Sequence, residues 1–164
     1  MAVIRDVMPA FELVQPSSAV EAQKILEQHG GDAWILAGGL DSFDWLKDRI
    51  KRPKIVVDLS GIDELKGVRT IADGIEIGAM TTLTDIVNHE VVKQKFGLLA
   101  QSAELVASPQ IRNQGTIGGN VRRTRAAGIT EQDGPATAQA GTSAMPTIRL
   151  VATGNTLFSR PNVV

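Results

Sequence analysis

The stretch Ser108–Asn120, SPQIRNQGTIGGN, decides how this chain is read. It holds three glycines (Gly115, Gly118, Gly119), Pro109, Arg112 and several amide side chains, a mixture that builds little regular structure. Glycine permits positive φ and lets backbone approach a ligand closely. Successive N–H groups in such a loop can form an anion-binding concavity. Two readings stand at this point: a loop that cradles a pyrophosphate, or a Gly-rich turn between two elements.

A second glycine pair lies far upstream. Ala33–Ala37 (AWILA) is a short apolar run of the kind found in strands buried on both faces. It leads into Gly38–Gly39, then Leu40, Asp41 and Ser42, with Phe43, Leu46 and Ile50 recurring at helical spacing. Asp41 or Ser42 can cap that helix. A strand, a glycine pair and a helix N-terminus in succession suit phosphate oxygens. The run matches neither the G-x-G-x-x-G fingerprint nor the Walker A pattern, which argues against a standard Rossmann or P-loop assignment.

Around this segment, Val3–Val14 reads as a short strand. Ser18 with Glu21 forms a capping box that opens a helix over about 18–29, stopped by Gly30–Gly31. Pro53 closes the second helix, and Ile55–Val57 is a buried strand ending at Asp58, which completes a βαβ-like unit. Asp58 itself reads as a strand-end turn residue in preference to a functional carboxylate. Beyond Ser60, Asp73–Gly74 between alternating apolar residues signals a hairpin. Met80–Thr82 follow, then a short helix from Thr84 and a longer one over Val91–Val106, which Ser108–Pro109 should end.

The 164 residues can bury a real core. At 43% hydrophobic, 21% charged and a net charge of -1, nothing points to nucleic acid or an anionic membrane. There is no cysteine, so no thiolate catalysis and no cysteine-held cluster or zinc resides here. No run reaches the roughly 20 apolar residues of a membrane span. The N-terminus lacks a signal-peptide pattern, so the expectation is a cytoplasmic protein. His29 and His89 fall near helix C-termini and have no companion at ligand spacing, so no metal site is expected. Trp34 and Trp45 read as core residues that could also border a ring-shaped ligand. Arg112 suits either a phosphate or carboxylate partner or a loop-anchoring salt bridge. No Ser/His/Asp set is visible, and without tyrosine there is no phenolic acid–base chemistry.

Taken together, Ile35–Asp41 (ILAGGLD), Ile77–Thr82 (IGAMTT), Ser108–Asn113 (SPQIRN) and Thr116–Asn120 (TIGGN) resemble the FAD loops of the molybdenum hydroxylase flavin domain. That family includes xanthine dehydrogenase, carbon monoxide dehydrogenase medium subunits and 4-hydroxybenzoyl-CoA reductase β-subunits. Each motif alone is weak, and the four in order over residues 1–121 are specific. The resemblance implies an α+β, two-subdomain PCMH-type FAD-binding fold, related to vanillyl-alcohol oxidase, with the FAD pyrophosphate against both glycine loops. It implies cofactor-binding residues Ala37, Gly38, Gly39, Leu40, Asp41 and Ser42 in the first loop. Thr116, Gly118, Gly119 and Asn120 are implied in the second, with Met80 and Thr81 lining the cleft. Molybdopterin and [2Fe–2S] clusters would sit on partner subunits, and electrons would leave FAD for NAD⁺ or another acceptor. No side chain is expected to act as acid, base or nucleophile, because the redox chemistry is the cofactor's.

The expected domain division is 1–58, 59–121 and 122–164. The last segment departs from the family pattern: it has no lysine or tryptophan and carries five arginines against Glu131 and Asp133, whereas residues 1–121 hold 12 Lys+Arg against 16 Asp+Glu. Such a shift reads as a poorly ordered tail, of the kind left by a shifted reading frame or a linker. The family's second half would then be missing. The resulting expectation is an electron-transfer component of a molybdopterin-dependent hydroxylase, the alternative being a truncated remnant that holds no FAD alone.

Overall fold

The computed structural model describes residues 8–72, 74–121, 147–153 and 156–159. They fall into two compact units, divided between Ile62 and Asp63. The expected boundary after Asp58 therefore lies four residues early, because a 3₁₀ turn over Leu59–Gly61 still belongs to the first unit.

The first unit is a three-stranded parallel sheet of β1 (Glu12–Val14), β2 (Ala33–Leu36) and β3 (Ile55–Asp58). The order is β1-β3-β2, so the last strand in sequence lies in the middle. That placement explains the uneven burial of the two apolar runs. Central β3 buries Ile55, Val56 and Val57, whereas edge strand β2 buries only Leu36 and leaves Ala33, Trp34 and Ile35 half-exposed. Each fully buried valine contributes about 1.5–3 kcal/mol. Helix α1 (Ala19–His29) packs against β2 and β3 through Ala22 and Leu26. Its N-cap is Ser18, whose hydroxyl accepts from the Glu21 N–H at 3.2 Å. The Glu21 carboxylate receives the Ser17 N–H (2.8 Å) and hydroxyl (2.9 Å), one residue upstream of the reciprocal partner that a capping box predicts.

Asp58 does what a strand-end aspartate does. Its carboxylate accepts the Ser60 N–H and the Gln15 amide, both at 2.9 Å, and so ties the end of β3 to the segment after β1. Burial pushes its pKa up, but these hydrogen bonds outweigh that, and the net shift is downward. A folded-state pKa below the unfolded value means that the contribution is present above the ordinary aspartate range and lost as pH falls through the folded value. Asp58→Ala should cost about 1 kcal/mol at neutral pH. The difference from the parent should shrink below about pH 4, as urea unfolding across that range would reveal.

The second unit combines an antiparallel sheet with a helical cluster. Hairpin β4 (Val68–Ile71) and β5 (Gly74–Gly78) pairs Ile71 with Gly74, so Gly74 stands in the strand and not in the connecting turn. Helices α3 (Leu83–Asn88), α4 (Glu90–Lys95), α5 (Gly97–Glu104) and α6 (Pro109–Gln114) follow. The expected single helix over Val91–Val106 is thus two. Phe96 leaves helical geometry (φ -131°, ψ 42°) with its side chain buried, and its carbonyl accepts the N–H groups of Leu99 and Ala100 to start α5. The core gathers Ile75, Ile77, Leu83, Ile86, Val92, Phe96, Ala100, Ala103 and Ile117.

Two further departures concern Ser108–Asn120 and the segment beyond it. Ser108–Pro109 does not end the long helix, which already stops at Glu104; it starts α6, with Ser108 as N-cap and proline in the first turn. Proline there forfeits no helical hydrogen bond. Beyond Asn120, where the sequence suggested only a tail, β6 (Thr147–Thr153) pairs antiparallel with β5 and β7 (Thr156–Ser159) with β6, giving the order β4-β5-β6-β7. The rest of the expected poorly ordered tail lies outside the described residues, as does most of the expected Val3–Val14 strand upstream of β1.

Candidate functional site

The first glycine loop connects β2 to helix α2 (Leu40–Lys47). Ala37, Gly38 and Gly39 form the loop, while Leu40, Asp41 and Ser42 are the first turn of the helix. Neither Asp41 nor Ser42 is the cap. Gly39 holds that position, in the left-handed region (φ 79°, ψ -12°), and as a glycine it brings no side chain to cap the helix. The reason is geometric: a left-handed residue directly before the helix leaves no room for a β-region Ser or Asp cap. The first-turn N–H groups therefore have no N-cap side chain over them, and they carry the positive end of the helix dipole. Such an end favours an anion.

Around α2 the side chains are held in place. The indole N–H of Trp34 donates to the Ser42 hydroxyl at 3.1 Å. The Trp45 ring meets Trp34 edge-on, with centroids 5.8 Å apart, and the Lys51 ammonium stands 5.5 Å from the Trp34 centroid.

The second glycine loop is built differently. Thr116 bridges to Thr82, Leu83 N–H donates to Gly115 O and Ile117 N–H donates to Thr81 O, both at 2.9 Å. Residues 117–121 are helical, and Thr116 caps them by accepting the Gly119 N–H on its hydroxyl at 3.2 Å. Gly118 N–H donates to Ala79 O (2.9 Å) and Asn120 N–H to Thr116 O (3.0 Å). The backbone donors of 117–120 are therefore already engaged within the chain. Gly118 is required for contact, since a Cβ there would stand 2.8 Å from Ala79 O. Ile117 and Thr116 are buried, whereas Gly119 is exposed and Asn120 half-buried, so the loop's outer surface is formed by its last two residues.

Met80 and Thr81 are buried at 8% and 1% exposure. Thr81 gives its hydroxyl to Gly67 O at 3.0 Å, and so joins the hairpin to the loop. Arg112 likewise turns inward. Its guanidinium donates to Val106 O and Ala107 O, both at 3.0 Å, across a turn in which Ala107 adopts φ 45°. Of the two roles the sequence left open, the structure shows loop anchoring, to carbonyls and not to an acid. No sequence signal distinguished the uncapped loop from the capped one, because both carry a glycine pair and a hydroxyl residue. His29 ends α1, and His89 lies at the α3–α4 junction with its Nδ1 buried and without a hydrogen-bond partner among the described residues. Among the described residues no cluster of three or more acids and histidines could hold a metal, and no helix is long and apolar enough to cross a membrane.

An α+β chain with a parallel βαβ unit, an antiparallel sheet and two glycine loops at helix starts is the architecture of a cofactor-binding flavoprotein domain. The profile of the family described as FAD binding domain in molybdopterin dehydrogenase matches residues 9–160, and this chain belongs to that family. The match passes Asn120, so the family does not end where the composition shifts. The chain is 42% identical over 113 residues to the carbon monoxide dehydrogenase medium chain of Hydrogenophaga pseudoflava, covering 69% of this chain and 39% of that one. It is 38% identical over 122 residues to the nicotinate dehydrogenase FAD-subunit of Eubacterium barkeri, covering 74% and 41%. Its fold matches the solved carbon monoxide dehydrogenase from H. pseudoflava with a TM-score of 0.68 at 41% identity, covering 70% of this chain and 40% of that one. Quinoline 2-oxidoreductase from Pseudomonas putida 86 matches with a TM-score of 0.65 at 31% identity, over 70% and 39%. The chain thus spans about two fifths of the length of these relatives.

Proposed function

We propose that this chain is the FAD-holding, electron-transferring part of a cytoplasmic molybdopterin-dependent hydroxylase complex. The observation that carries the reading is the uncapped start of α2 behind left-handed Gly39, inside a chain of the FAD-binding family. A diphosphate needs several N–H donors without side chains in the way, and this loop offers that arrangement. Ala37 to Ser42 are assigned to the diphosphate side of the site. Asp41 has a separate part: a carboxylate accepts hydrogen bonds and repels phosphate, so it suits the ribityl or ribose hydroxyls of FAD. Gly118, Gly119 and Asn120 act as a preformed wall more than as donors, because their amides are engaged, and Thr116 belongs to that wall as its cap. Met80 and Thr81 hold that wall in position from beneath.

Bound FAD supplies hydride and single-electron chemistry; the protein supplies binding and orientation. The reading places molybdopterin and [2Fe–2S] clusters on partner subunits, since no cysteine is present to hold a cluster here, and makes NAD⁺ or another acceptor the electron sink. Purified chain mixed with FAD and desalted should keep close to one flavin per protein, read from the visible spectrum. Colourless protein would overturn the reading in favour of a remnant that holds no FAD alone.

A further inference from the structure

Ser42 lies in the first turn of α2, and helical side chains lean toward the N-terminus, so its hydroxyl sits over the uncapped end. A serine hydroxyl can donate one hydrogen bond and accept two, whereas an indole N–H only donates. The Trp34 indole therefore occupies an acceptor position on Ser42 Oγ. With one lone pair held by that donor, the O–H is restricted to the remaining directions around Oγ, and an O–H donor is the polarity an anion requires.

Trp34 is itself in contact with two side chains. It stands on edge strand β2, half-buried, with the Trp45 ring against it and the Lys51 ammonium over its face. A held indole aims its N–H at a fixed point, so the orientation of Ser42 is built in before any ligand arrives. Lys51 also adds positive charge beside the cluster. The first loop alone would leave the direction of Ser42 open; the tryptophan fixes it.

We propose that Trp34 is a positioning residue for the FAD diphosphate, acting through Ser42 by holding that hydroxyl as a hydrogen-bond donor. The inference rests on the FAD reading above and adds to it a residue outside the glycine loops. The test is a double-mutant cycle of FAD dissociation constants with Trp34→Phe, Ser42→Ala and the double variant. A hydrogen bond to a charged group is worth about 1.5–3 kcal/mol, so Ser42→Ala should weaken FAD about tenfold or more. Trp34→Phe, which keeps the aromatic packing, should weaken it by several-fold. The double variant should be no weaker than Ser42→Ala, because the indole has no effect once the hydroxyl is gone. Ser42→Thr, which restores a hydroxyl, should recover most of the affinity. ADP, which carries the diphosphate without the flavin, should show the same pattern and shift the tryptophan emission of the parent. Additive losses, or a Trp34→Phe protein that melts lower yet binds FAD as tightly as the parent, would overturn the proposal and leave Trp34 a packing residue. A parent chain that binds no FAD would overturn the functional reading, and this inference with it.

Discussion

Gly39→Val should abolish FAD retention while leaving the first unit folded. Gly39 has φ 79°, a region that costs a β-branched residue about 1–3 kcal/mol. A Cβ at this position would also meet the Phe43 ring, 2.6 Å from Cε2 and 3.1 Å from Cδ2. The ring is the far end of a side chain that can swing aside, so steric overlap alone would not unfold the protein. The φ value cannot be relieved in that way. Valine would drive position 39 back toward negative φ and turn the first N–H groups of α2 out of register with one another. Two misaligned charge-assisted hydrogen bonds at about 1.5–3 kcal/mol each amount to at least a hundredfold loss in affinity. The core of this unit includes Val56, Val57, Leu26 and Leu46, all buried, and the unit should hold its far-ultraviolet circular dichroism. The measurement is flavin per protein after desalting, paired with that spectrum. Stoichiometric flavin in the variant would remove the first loop from the site.

How much of this was legible beforehand follows from what each signal encodes. The helix at 18–29 was readable because Ser18 and Glu21 carry its start and Gly30 its stop in local chemistry. Central strand β3 was readable because burial on both faces makes a continuous apolar run. The break at Phe96 was not, because the amphipathic pattern continues through it and only tertiary packing draws that ring inward. Ser108–Pro109 misleads for a different reason: proline after a helix and proline beginning one are the same residue, and the distinction rests on where the previous helix ends. Strands β6 and β7 lie in a segment whose composition departs from the rest, yet backbone pairing with β5 does not depend on charge balance. At the site, both glycine loops could be found from sequence and their difference could not. Whether a glycine pair ends uncapped, as at Gly39, or is stitched to a neighbouring strand, as at Gly118, depends on contacts with residues far away in the chain.

That stitching predicts the largest loss of stability, at a residue outside either loop. Gly78 ends β5, and its N–H donates to Gly67 O at 2.9 Å. A Cβ on it would collide with the backbone carbonyl of Leu65 and come within 2.8 Å of Lys66 N. No rotamer change clears a backbone obstacle, so Gly78→Ala must displace the turn at Asp63–Leu65 or the end of the strand. Either movement breaks a connected set of bonds: Met80 N–H to Leu65 O at 2.8 Å, Gly78 N–H to Gly67 O, and the Thr81 hydroxyl to Gly67 O. At about 1 kcal/mol each, the loss is about 3 kcal/mol, before any strain. A thermal midpoint lower by about 10 °C or more is expected for a unit of this size. Gly97 provides the control, since a Cβ there meets nothing within 4 Å, and Gly97→Ala should leave the midpoint within a few degrees. The same displacement reaches the second glycine loop, because Thr81 O receives the Ile117 N–H and Ala79 O the Gly118 N–H. Gly78→Ala should therefore weaken FAD as well as lower stability, although residue 78 lies in neither loop. A variant that loses stability but binds FAD like the parent would show that the Thr116–Asn120 wall contributes nothing to the flavin. Unchanged stability would mean that the Leu65 turn yields freely, against the close approach seen there.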